Sequence, residues 1–167
     1  MADKANFTPD EWKLLLESVV MASMAVTAAD PSGLFGLIKE GLAGGSTLAQ
    51  ARMGAGTNPL IKAVVDDFST SGGRAIAQDG VKQKISGKQL PEVKALCIQT
   101  LQQAAAVLDA KAPSDAAAFK NWLHQLSQNV AEAASEGGGL FGIGGVPVSD
   151  AEKATLAEIS SAPKLAA

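Results

Sequence analysis

The sequence predicts an all-α fold, a compact bundle of about six to eight helices around a central hydrophobic N-terminal helix at residues 8–29. Three observations lead there. No segment sustains the two-residue alternation of apolar and polar side chains that marks a half-buried strand. Apolar residues recur instead at intervals of three and four, which places them on one helical face. Helix starts are also spelled out in the chain, at Thr8-Pro9, Asn58-Pro59, Pro91 and Ser149.

The first helix, TPDEWKLLLESVVMASMAVTAA from Thr8 to Ala29, has a defined start and stop. Thr8 and Glu11 form a capping box, in which hydroxyl and carboxylate each satisfy an orphan backbone N–H. Phe7 and Trp12 stand at the two positions of a hydrophobic staple. Asp30-Pro31-Ser32-Gly33 ends the helix, because proline pushes its predecessor out of the helical region. No charge occurs between Glu17 and Asp30, and Val19, Val20, Met21, Met24 and Val26 cover most of the circumference. Such a helix is expected to be wrapped by others.

The remaining elements follow in order. Residues 1–6 read as a short flexible lead-in. Residues 31–43 predict a second, shorter helix, broken by Gly44-Gly45-Ser46, with another turn or two over Thr47–Met53 and a flexible link at Gly54–Thr57. Asn58-Pro59 opens a helix to Phe68 with Leu60, Ile61, Val64 and Val65 inward and Asp66 and Asp67 outward. Ser69–Gly73 is a turn. Arg74–Lys84 is helical with Ile76, Ala77 and Val81 inward. Pro91–Ala110 carries Val93, Leu96, Cys97, Leu101, Ala104 and Leu108 on one face. Pro113-Ser114-Asp115 separates it from a helix over 115–135, whose stripe is Phe119, Leu123, Leu126, Val130 and Ala133. A glycine-rich loop begins at Gly137. Ser149 and Glu152 form a second capping box for a last helix, docked by Leu156 and Ile159, and residues 163–167 fray.

The totals bound the class. A chain of 167 residues is expected to be a single domain, 1–167, and buries roughly 70% of its unfolded surface without metal or disulfide staples. Hydrophobic residues make up 47% and charged residues 19%, which separates it from disordered chains. A net charge of −3 argues against nucleic acid or anionic lipid as a partner, since both need surplus Lys and Arg. Arg74, Lys82, Lys84, Lys88 and Lys94 form a local basic excess, read as a solvated rim. Charge-free runs such as Ser18–Ala29 and Gly137–Ser149 fall short of the roughly 18–20 residues of a transmembrane segment. With a polar N-terminus and the lone Cys97, a cytoplasmic setting is expected.

Two further patterns stand out. Gly33-Leu34-Phe35-Gly36-Leu37 and Gly139-Leu140-Phe141-Gly142-Ile143 each follow a Trp-bearing helix, either as a duplicated unit or by chance in a Gly- and Leu-rich chain. In addition, Phe119-Lys120 with Trp122-Leu123, Ala131–Ala134, Glu136-Gly137-Gly138 through Gly145, and Val148-Ser149 resemble a group of small bacterial helical proteins. That resemblance covers about residues 115–160 and implies no activity and no site residue.

No motif carries chemistry. His124 is the only histidine, with Lys120 and Gln128 one turn away, so it reads as a surface residue. A di-iron bundle site needs Glu-x-x-His pairs, and zinc needs a Cys/His cluster; neither pattern is present, and no metal or cofactor is expected. Cys97 shares an apolar face and reads as a structural thiol. Gly137–Gly142 matches G-x-G-x-x-G literally, but a helix precedes it where the dinucleotide fingerprint has a strand. The first functional expectation is therefore a non-catalytic binding or interaction protein, homo-oligomers included. Trp12, Phe35, Trp122 and Phe141 are its candidate anchors if exposed. The alternative is an apolar ligand held between helices, in room left by Met21, Met24 and small alanines. An enzyme, the third reading, needs carboxylates such as Glu17, Glu40, Asp66 or Asp67 to converge.

Overall fold

The computed structural model describes residues 2–29, 43–54, 57–136, 148 and 150–161, with backbone alone for 43–47 and 133–136. Among these residues there are seven α-helices and no strand: α1 Pro9–Thr27, α2 Ala43–Met53, α3 Pro59–Ser69, α4 Ser71–Ile85, α5 Leu90–Lys111, α6 Pro113–Glu136 and α7 Asp150–Ser161. A 3-10 turn at Lys4–Asn6 precedes them. The expected helix over 31–42, both GLFG segments, the Ser149 cap, the side chain of Ala133 and the tail 163–167 lie outside the described residues.

Helix α1 is the axis. Helices α3, α4, α5, α6 and α7 all pack against it, and every residue from Glu11 to Ala29 is buried or half-buried. Its start follows the sequence: Glu11 N–H donates to Thr8 Oγ1 at 3.3 Å, and Thr8 N–H donates to Glu11 Oε2 at 2.8 Å. The staple is closed, with Phe7 and Trp12 ring centroids 5.8 Å apart. Helix α5 lays Val93, Cys97, Leu101, Ala104 and Leu108 inward, and α6 does so with Phe119, Leu123, Leu126 and Val130. Ile159 and Thr155 dock α7, with Leu156 half-buried.

Several joints are tighter than the sequence suggests. Ser69–Gly73 is not an open turn. Thr70 alone separates α3 from α4, and its hydroxyl accepts the Gly73 N–H at 3.0 Å, so one side chain caps the second helix at the corner. Pro113-Ser114-Asp115 is not a spacer either: α6 begins at Pro113, and only Ala112 lies between α5 and α6. Proline suits a first helical turn, where its missing N–H has no partner to lose. Gly44-Gly45-Ser46 does not interrupt α2 but belongs to its first turns. Ile76 is not inward but 48% exposed. Helix α4 instead faces the core with Gly73, Ala77, Gly80 and Val81; Gly80 lets its backbone close on Lys13 and Glu17 of α1, and Gly73 lets it close on the Asp67 backbone of α3.

The lead-in is docked rather than loose. Ala2 is buried, and its N–H donates to Asp115 Oδ2 at 2.9 Å. The other oxygen of Asp115 accepts from Asn58 Nδ2 at 2.7 Å, while Asn58 Oδ1 caps α3 through the N–H groups of Leu60 and Ile61. One carboxylate thus ties residue 2, the start of α3 and the start of α6.

Candidate functional site

The candidate anchors divide in two. Phe35 and Phe141 lie outside the described residues. Trp12 and Trp122 are buried, 4% and 8% exposed, so neither presents an open aromatic face. Trp12 is fully partnered: its Nε1 donates to Asp67 Oδ2 at 2.6 Å, and Lys4 Nζ lies 5.6 Å from its ring centroid. Asp67 therefore does not point outward into solvent. Lys4, then the Trp12 N–H, hold its carboxyl below the usual range. Trp122 packs edge-on against Phe119 at 5.3 Å, but its buried Nε1 has no hydrogen-bond partner among the described residues. Leaving such a donor unmade costs about 1–3 kcal/mol.

The carboxylates do not gather at one place. Glu17 is 2% exposed on α1, and its Oε2 accepts from Lys84 of α4 at 2.5 Å. Lys13 Nζ lies 3.8 Å from Oε1, which makes no hydrogen bond. Asp66 pairs with Arg52 at 3.4 Å, and Asp67 serves Trp12 and Lys4. Glu40 lies outside the described residues. Among the described residues no group of three or more His, Cys, Asp or Glu could hold a metal ion.

Cys97 is fully buried with its Sγ 3.4 Å from Met21 Sδ. Burial pushes its thiol pKa up to about 12, which removes the thiolate that reactivity needs. Met21, one of the residues expected to leave space for an apolar ligand, is itself fully buried at this contact.

Two open grooves mark the surface. The smaller, about 450 Å³, lies among α5, α6 and α7 and is lined by Asp109, Lys120, Asn121, His124 and Ile159 with neighbouring small residues. Its charges face each other: Lys120 Nζ sits 2.6 Å from both oxygens of Asp109. His124 is half-buried at the edge of this groove rather than free on the surface.

The larger groove, about 520 Å³, lies among α2, α3 and α6. Ala51, Ile61, Ala118 and Trp122 supply its apolar lining, while Gln50, Thr57, Asn58, Asn121 and Gln125 supply polar groups. Among the described residues no side chain that is charged at neutral pH lines it. The helices position these groups simply: Ala118, Asn121, Trp122 and Gln125 recur at three and four along α6 and share a face. Asn58 is held by Asp115, whereas Gln50, Asn121 and Gln125 are exposed and no hydrogen bond within the described residues engages their amides. Among the described residues the groove offers neutral donors and acceptors above an apolar floor.

Sequence reasoning missed this groove. Its residues come from three helices, and a carboxamide carries no motif. Of the lining residues only Trp122 is a candidate anchor of the sequence, on condition of exposure, and the structure buries it with its N–H unsatisfied.

No family model matches the chain, and no curated protein or solved structure matches it.

Proposed function

We propose that the chain is a non-catalytic binding protein that engages its ligand in the groove among α2, α3 and α6. The observation that carries this reading is the groove's lining: exposed carboxamides beside a buried indole N–H, none of them with a hydrogen-bond partner among the described residues. Ligand sites generally combine an apolar surface with a few polar groups that set orientation. The interior supports the apolar-ligand alternative less well, because Met21 is sealed against Cys97. Among the described residues Glu17, Asp66 and Asp67 each pair with a different cation, which does not support the enzyme reading.

Self-association is a weaker form of the proposal. It would need anchors other than Trp12 and Trp122; Met53 at 80% and Ile76 at 48% are the large apolar side chains exposed among the described residues. Among these residues no helix is long and apolar enough to cross a membrane. Net charge and the single buried thiol support a cytoplasmic protein that does not bind nucleic acid.

Native mass spectrometry of protein purified from its own source tests the reading. Ala118→Arg fills the groove from an exposed position and leaves the core untouched. The wild type is expected to carry a bound species that this variant loses while melting at the same temperature. Equal retention by both proteins would place binding elsewhere.

A further inference from the structure

Helix α7 meets the bundle along a narrow ridge. It rests on α1, α5 and α6. Glu152, Thr155 and Ile159 are buried, Leu156 is half-buried, and every other residue of the helix is exposed. Those positions step by three, one and three, so they form a single line on one face. Within that line Ile159 and Leu156 are apolar, and burying Glu152 and Thr155 returns less than burying hydrocarbon. Helix α5, by contrast, sets Val93, Cys97, Leu101, Ala104 and Leu108 into the core.

Several polar side chains of α7 serve the helix itself. Thr155 Oγ1 donates to Ala151 O at 2.8 Å, Ser161 Oγ donates to Glu158 O at 2.9 Å, and Lys153 Nζ lies 3.4 Å from Asp150 Oδ1. Lys94 of α5 reaches across to Glu158 at 2.9 Å, yet both ends of that pair meet solvent, where an ion pair contributes little. A helix of 12 residues is marginal in water by itself, so one that leaves its ridge also melts.

The same end of α7 shapes the surface. Ile159 and Ser160 stand in the lining of the smaller groove together with Asp109, Lys120 and His124. We infer that α7 is a detachable wall of this groove: it undocks and melts as one unit while α1, α5 and α6 stay folded together. Each opening turns the groove into a broad α5–α6 surface that carries Asp109, Lys120 and His124. Ile159 is the latch, because one side chain belongs both to the buried ridge and to the groove wall.

Native-state hydrogen exchange of the full chain at low urea, read by mass spectrometry, tests this. Amides from Ala154 to Ser161 lie past the first turn, where N–H groups lack helical partners. They are expected to exchange at least about tenfold faster than those of α1 and α5, with a shallow urea dependence because little surface opens. Two variants separate the units. Ile159→Ala is expected to lower α7 protection at least about thirtyfold. Val64→Ala, in the core on α3, is expected to lower α1 protection at least about fivefold and to leave α7 unchanged, since α3 stays folded whether α7 is docked or not. Equal protection and equal urea slopes for α7 and α1 in the wild type overturn the inference. An equal loss in both helices on Val64→Ala, or unchanged α7 protection on Ile159→Ala, overturns it as well.

Discussion

Replacing Lys84 with Met isolates the buried Glu17 carboxylate, and the outcome can be worked from the geometry. Glu17 is 2% exposed and depends on Lys84 at 2.5 Å, with Lys13 a distant second at 3.8 Å. Removing one partner of a buried pair costs about 3–5 kcal/mol. Here Lys84 is one-third exposed and Lys13 remains, so we expect about 2–3 kcal/mol, softened by water at the rim. For a chain of this size that lowers Tm by about 4–12 °C. The companion double variant, Glu17→Met with Lys84→Met, exchanges the pair for apolar volume and should recover most of the loss. Gly80 sharpens the test, because a Cβ there would overlap Glu17 Oε1 and sit 2.8 Å from Lys13 Cε. Gly80→Ala should destabilise the wild type yet stabilise the Glu17→Ala background by up to about 1 kcal/mol through helix propensity. Urea unfolding followed by helical circular dichroism measures all of these. A loss below about 1 kcal/mol for Lys84→Met, or simple additivity in the double variant, would refute the argument that the carboxylate is held by this partner.

Three further outcomes follow from single contacts. Cys97, with its pKa raised to about 12, should resist thiol reagents at pH 8 in the folded protein and react at the rate of unfolding; rapid labelling would contradict its burial. Asp115 and Asp67 have lowered folded pKa values, through the Ala2 N–H and Asn58 in one case and Lys4 and Trp12 in the other. Their stabilisation is present above the unfolded value, about 3.9, and is lost as pH falls through the lower folded value, so Asp115→Asn should flatten the acid limb of a stability–pH curve. The two indole N–H signals should separate, that of Trp12 downfield and slow to exchange because of its 2.6 Å bond to Asp67, that of Trp122 upfield; coincident signals in the free protein would contradict the unpaired Trp122 donor.

Much of the fold is legible in local chemistry. Thr8 and Glu11, Phe7 and Trp12, and the Phe119–Val130 stripe all act through neighbours within one or two turns, and they appear as the sequence pattern implies. What the pattern hides depends on distant partners. Glu17 is charged and so reads as surface, but Lys84, far along the chain, lets it lie inside. Hydropathy favours Ile76 over Gly73 and Gly80, whereas close approach to α3 selects Gly73 and close approach to α1 selects Gly80. Asp115 looks like a turn residue because Ala2 and Asn58 are remote in sequence. The groove was illegible for the same reason, with Gln50, Ile61 and Gln125 brought together only by packing.

Asp115 also divides the groove's residues into two kinds of freedom. Through Asn58 it links the beginnings of the two helices that form opposite banks, so the aperture is set by a carboxylate outside the opening. Gln50 on α2 and Asn121 and Gln125 on α6 line the opening without structural duties among the described residues. Descendants of this sequence could therefore exchange those three amides and acquire new preferences at little penalty to folding, while Asn58 and Asp115 would have to change together or stay as they are.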